Sequence, residues 1–244
     1  MMKVLTFGAT SAALALTGIS APAIAASLEP GELFGTEGLL FQQDTEVSWE
    51  FLQSNGRAQS TLKLFEVGAD DALTFVTDLF AEVRGSDSGL ESDGWLGTCG
   101  ISVLPTEGGA CLASTILKSG IEYTLALDSG DRGTVFSTSR LNVAPSDTQQ
   151  VAFGTATELL SKLPEQDGIQ FTEAADFTSA DPLSQRVAAG FDDRGNMNDS
   201  DFQDFVITAE ATRVDIPKEV PEPSVVLALV GGIVGFSVVR RRQG

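Results

Sequence analysis

The stretch Phe191-Asp192-Asp193-Arg194-Gly195-Asn196-Met197-Asn198-Asp199-Ser200-Asp201-Phe202-Gln203-Asp204 carries five aspartates and two asparagines. Carboxylates, amide carbonyls and backbone oxygens are what a calcium ion takes, roughly six to eight of them in a flexible cage. Asp199 and Asp201 stand two apart, so in extended chain they point to the same side. Asp204 would complete a pocket with Asp192 or Asp193. Five carboxylates this close repel one another unless a counter-ion sits among them, and Arg194 offsets only part of that charge. Asp192, Asp193, Asp199, Asp201 and Asp204 are therefore candidate calcium ligands. The alternative is a metal-free turn whose Asp and Asn side chains accept from nearby backbone N–H groups. An EF-hand is excluded: it needs Gly at its sixth position and Glu at its twelfth, and no register offers both.

Other chemistries find less support. The chain contains no histidine, which removes Ser–His and Cys–His catalysis and every His-ligated metal site. Ser161 and Lys162 are adjacent rather than at the spacing of a Ser-x-x-Lys nucleophile. A glycosidase needs only two carboxyls at the right separation, but among 34 acidic residues such a pair arises by chance. The expectation is a non-enzymatic protein, with a secreted carboxylate-based glycoside hydrolase as a remote alternative. A net charge of −19 argues against nucleic-acid binding, which needs a basic surface. Cys99 and Cys111 are the only cysteines and flank a Gly-rich stretch; in an oxidising compartment they are expected to form a structural disulfide. With two Trp and one Tyr, a platform for stacking on a sugar would come from Trp49, Trp95 or Tyr123; Trp49 reads as core and Trp95, between Gly94 and Gly97, as the better surface candidate.

The elements that must position the acidic turn read mainly as strands. Phe205, Ile207, Ala209 and Ala211 alternate with Val206, Thr208, Glu210 and Thr212 directly after it. Val47, Trp49 and Phe51 alternate likewise; Asn55-Gly56 follows, then Thr61 to Val67, which reads as a hairpin. Leu73 to Val83, Tyr123 to Leu127, Thr134 to Leu141 and Gln149 to Phe153 are further candidates, with a turn at Asp128 to Asp131. Thr157 to Leu163 reads as a short helix stopped by Pro164. Many short strands between Gly, Asp and Ser turns predict an all-β fold, an antiparallel β-sandwich or jelly roll, with a single C-terminal transmembrane helix. The sandwich is placed at residues 44–214, after a loose lead-in at 26–43 that shows no clear period.

The two ends carry addressing features. Lys3, an apolar run from Val4 to Leu16 and Ala23-Ile24-Ala25 form the pattern of a secretory signal peptide spanning residues 1–25. Ser224 to Val239 contains 16 residues without a charge and precedes Arg240, Arg241 and Arg242, which mark a cytoplasmic side. As a helix the apolar segment would be roughly 24 Å long, against a hydrocarbon core of about 30 Å. A tether, 215–219, leads into it.

Val220-Pro221-Glu222-Pro223-Ser224, the apolar segment and the terminal Arg cluster, in that order, resemble the PEP-CTERM sorting signal. The resemblance implies recognition by an exosortase-type membrane protease in a Gram-negative bacterium that makes extracellular polysaccharide. It further implies an inner-membrane intermediate with its ectodomain in the periplasm, then placement at the cell surface or in the extracellular matrix. The prolines keep that cleavage segment out of regular helix. The acidic turn in turn resembles a bacterial surface domain of unknown function whose closing motif reads F-E-D, then G-D-x-D-F-N-D. Asp192 stands here in place of Glu, Asn198 in place of Gly and Gln203 in place of Asn. That resemblance implies a β-sandwich and makes Asp193, Asp199, Asp201 and Asp204 the ligand candidates. Together the two resemblances suggest an envelope or matrix protein associated with polysaccharide, or else a surface adhesin or self-assembling subunit.

Overall fold

Alternation explains the longest strands. In β3 (Thr45–Ser54) the side chains of Val47, Trp49 and Phe51 are buried while Glu46 and Ser48 face solvent. The computed structural model describes residues 26–55, 58–84, 96–106, 108–142, 149–164, 169–193 and 199–214. The expected signal peptide, the tether, the sorting segment with its apolar helix, and Trp95 lie outside these residues. Among the described residues no helix is long and apolar enough to cross a membrane.

Two antiparallel sheets face each other. The first contains β1 (Leu33–Gly35), β2 (Gly38–Leu40), β8 (Glu122–Asp128), β4 (Thr61–Val67) and β5 (Leu73–Ala81) in that spatial order, with β9 (Thr134–Phe136) also paired to β8. The second runs β10 (Val151–Thr155), β11 (Val187–Phe191), β12 (Phe205–Arg213), β3 and β6 (Gly97–Thr98), with β7 (Leu112–Leu117) also paired to β3. Side chains from both sheets meet in one core. Phe34 of β1 stacks on Trp49 of β3 at 6.1 Å and meets Phe153 of β10 edge-on at 5.8 Å. Phe51 of β3 packs against Phe80 of β5 at 6.2 Å. The all-β sandwich expected from the sequence is therefore present, and Trp49 is a core residue, 1 % exposed.

Two expectations change. Residues 26–43 are not a loose lead-in: β1 and β2 form a hairpin that buries Phe34, Leu39 and Phe41. Strands of three residues are too short to display a period, which is why none is visible. Nor do β3 and β4 form a hairpin around Asn55. Both edges of β3 are taken, by β12 on one side and β7 with β6 on the other, so the chain crosses to the opposite sheet, where β4 pairs with β5 and β8. The turn at Asp128 to Asp131 does join a true hairpin, β8 with β9.

A small second layer covers the outer face of β10 and β11. The helix α1 (Ala156–Lys162) begins where the Thr155 hydroxyl accepts from the Glu158 backbone N–H at 3.2 Å, a side-chain cap of the kind that starts helices. Its Leu159 joins Ala152, Phe171, Phe177, Ala188 and Phe202 in a satellite cluster. Covered on both faces, β11 is buried at every position and shows no alternation. Cys99 and Cys111 form the expected disulfide, Cα to Cα 5.6 Å, tying the segment after β6 to the start of β7.

Candidate metal centre

The acidic turn lies between β11 and β12, whose ends meet at Phe191 opposite Phe205. Backbone bonds fix both arms of the turn. The Asp192 N–H donates to the Gln150 carbonyl at 3.1 Å, and the Asp204 N–H donates to the Phe191 carbonyl at 3.1 Å. On the returning arm Ser200 and Phe202 each adopt φ of 60°, a left-handed conformation uncommon outside glycine. These two reversals throw Phe202 outward into the satellite cluster, where it meets Phe171 at 6.1 Å. They leave Asp201 between them, fully buried. Gly190 permits the return: a Cβ there would lie 2.3 Å from the Phe202 carbonyl oxygen.

Three of the five candidate carboxylates come together. One oxygen each from Asp192, Asp199 and Asp204 lies within 4.8 Å of the others, with Asp192 and Asp204 buried and Asp199 partly exposed. Asp193 and Asp201 are buried beside this trio but are not members of it. The Asp193 backbone N–H donates to Asp204 Oδ2 at 2.7 Å, so Asp193 helps orient a member of the trio through its main chain. Asp201 accepts from the Gln203 side-chain amide at 3.0 Å and from its backbone N–H at 3.3 Å. The Gln203 carbonyl oxygen accepts in turn from the Asn55 side chain at 2.7 Å. Asp201 thus braces the turn from within, locked to the end of β3.

Electrostatics follow from this crowding. Burial pushes the Asp204 carboxyl well above the usual carboxylate range, and the neighbouring charges of Asp193, Asp201 and Asp192 push it further. The oxygens lie within 4.8 Å of one another, and two unit charges at that largest separation would repel by about 3–4 kcal/mol at an effective dielectric near 20. Crowding of this kind favours protonation of a carboxyl or a bound cation. Its donors are all oxygens, which suits a hard divalent cation over a thiophilic or imidazole-seeking one. The cluster could hold a metal ion.

Sequence reading located the carboxylates but missed their supports. Asn55 reads as a turn residue, yet it donates to Gln203, and its backbone N–H is shared between the Gln203 and Asp204 carbonyls, 3.3 Å to each. Gln203 departs from the resembled motif, and it is the residue that links Asp201 to Asn55. Glu82, distant in sequence, lies close enough for Asp193 to influence its ionisation; no local pattern marks it. Comparison with known protein families, with curated proteins and with solved structures finds no match to this chain.

Proposed function

We propose that the protein is an exported, non-enzymatic component of the cell envelope or extracellular matrix, whose sandwich is stabilised by calcium in the β11–β12 turn. The convergence of the Asp192, Asp199 and Asp204 oxygens, two of the three carboxyls buried, carries this reading. Calcium brings positive charge to the cluster and tolerates an irregular ligand set completed by backbone oxygens and water. At a hundredfold excess over its dissociation constant a ligand adds about 2.7 kcal/mol to stability, a large part of a typical domain's net 5–15 kcal/mol or so. A structural role thus suffices to explain the cluster.

Export and sorting rest on the sequence of the two ends: signal-like residues 1–25, the Val220-Pro221-Glu222-Pro223-Ser224 segment, and Arg240, Arg241 and Arg242. On that reading an exosortase-type protease is the processing partner, and the C-terminal helix holds the membrane until it is processed. The disulfide suits an oxidising compartment. Association with extracellular polysaccharide follows from the sorting resemblance alone.

Thermal unfolding in EDTA and in millimolar calcium tests the central element. The wild-type chain is expected to melt higher with calcium, and an Asp192→Asn/Asp204→Asn variant is expected to lose that response. Equal melting in both buffers removes calcium from the account. A self-assembling subunit is favoured by one observation. On β5, an edge strand of the first sheet among the described residues, Leu73, Phe75 and Val76 are exposed, and apolar edges of this kind pair with other chains. A concentration-dependent shift in sedimentation, abolished by Phe75→Lys, would support assembly; a monomer at all concentrations would remove it.

A further inference from the structure

Glu82 follows β5, and it is 4 % exposed. Its carboxyl sits where the chain crosses between the sheets. Oε1 is 2.5 Å from the hydroxyl of Ser54, the last residue of β3 in the second sheet. Oε2 accepts from the backbone N–H of Ser60, just before β4 in the first sheet, at 2.7 Å. The Glu82 main chain is bound into the same junction, its N–H donating to the Ser60 carbonyl at 3.0 Å and its carbonyl accepting from the Gln59 amide at 2.6 Å. The next residue reaches the disulfide-linked segment, the Val83 N–H donating to the Ser102 carbonyl at 2.7 Å. One acidic side chain therefore joins the end of one sheet, the start of a strand in the other, and the crossover between them.

We propose that Glu82 is a proton-operated clasp, neutral when the junction is closed and loosening it when ionised. Either state keeps the contacts: the Ser54 hydroxyl donates to the ionised carboxylate and can accept from the protonated one, while the other oxygen accepts from the Ser60 N–H. Among the described residues, no cation is positioned to stabilise the charged form. The end of β3 and residues 58–60 bring hydroxyl, amide and backbone groups, and the segment around Val103 brings Ser102. The β11–β12 turn brings Asp193, whose negative charge opposes ionisation; Arg84, two residues on, is exposed. Burial and Asp193 together raise the carboxyl to about 7, against hydrogen bonds from Ser54 and Ser60 that lower it. A carboxyl with a folded value near 7 and an unfolded value near 4.5 binds more protons when folded between those limits. Stability from this group therefore falls as pH rises through that window and levels off above it.

The test uses the full protein with 13C-labelled glutamate carboxyls, titrated by NMR in EDTA and again in saturating calcium. The resonance absent from E82Q is expected to titrate with a midpoint near 7 in EDTA, and the melting advantage of E82Q over wild type is expected to grow from pH 5 to pH 7. Should E82Q fail to fold, S54A identifies the same resonance by shifting its midpoint upward, because a donor to the carboxylate is lost. A Glu82 midpoint below 5, or a wild-type to E82Q melting difference independent of pH, overturns the clasp. Because the EDTA arm holds no calcium, its outcome is independent of whether the acidic turn binds the ion.

Discussion

At the scale of single residues, the molecule contains carboxylates under opposite pressures. Glu32 is 7 % exposed and accepts from both terminal nitrogens of the Arg213 guanidinium, at 2.9 and 2.8 Å, and from the backbone N–H groups of Glu29 and Gln42. The Arg213 hydrogen bonds above all hold its carboxyl down at about 2. A depressed folded value gives stability that is present above the unfolded value near 4.5 and lost as pH falls toward 2. Glu32→Gln is expected to reduce the acid sensitivity of unfolding below pH 4.5, to which Asp44 and Asp128, also held below the usual carboxylate range by Lys118 and Lys63, continue to contribute, and Glu32→Ala to cost about 3–5 kcal/mol by leaving Arg213 without its buried partner; denaturant unfolding at pH 7 and pH 3 measures both. Asp204 behaves the other way. Its folded value is raised, so in EDTA the protein should gain stability on acidification from pH 7 to pH 5, and calcium should reverse that trend because protons and cation compete for the same oxygens. A calcium-free melting temperature that falls between pH 7 and pH 5 would contradict this.

At the scale of elements, what the sequence disclosed depended on whether a strand has one wet face. In β3, Glu46 and Ser48 stay exposed between buried partners, so alternation marks it. Periodicity is silent on β11, because α1 and the satellite cluster cover its second face. It is equally silent on β1 and β2, which place few side chains each. Register was harder still: Asn55 carries a hairpin's chemistry, but pairing of β3 on both edges decides where the chain goes. The site followed the same division. The aspartates are contiguous and legible, while Asn55 and Glu82 join them only through tertiary packing. Two substitutions test these elements. Gly190→Ala places a methyl against the Phe202 carbonyl and should cost about 1–3 kcal/mol while weakening the calcium response. Thr155→Ala removes the α1 cap and should cost about 1 kcal/mol with the calcium response intact. Melting curves in EDTA and calcium separate the two outcomes.

At the scale of the whole molecule, β12 connects two different ends of the sandwich. It starts at Phe205 beside the acidic turn and ends at Arg213, bound to Glu32 and paired with Thr45. The eight steps of this nine-residue strand, at about 3.4 Å each, separate its ends by roughly 27 Å. The acidic turn and the Glu32–Arg213 contact therefore lie at opposite ends of this strand. The Cys99–Cys111 link spans a sequence separation of 12 near the Glu82 junction. Its reduction should cost about 3 kcal/mol by the chain-entropy estimate, read as a lower denaturation midpoint in dithiothreitol. The account stands most directly on calcium itself. Isothermal titration of calcium into the metal-free wild-type protein should show saturable binding at one site, lost in Asp192→Asn/Asp204→Asn and retained in Thr155→Ala. Absence of saturable binding to a folded wild-type protein, or binding undiminished by the double substitution, would contradict the assignment of the β11–β12 turn as the metal centre.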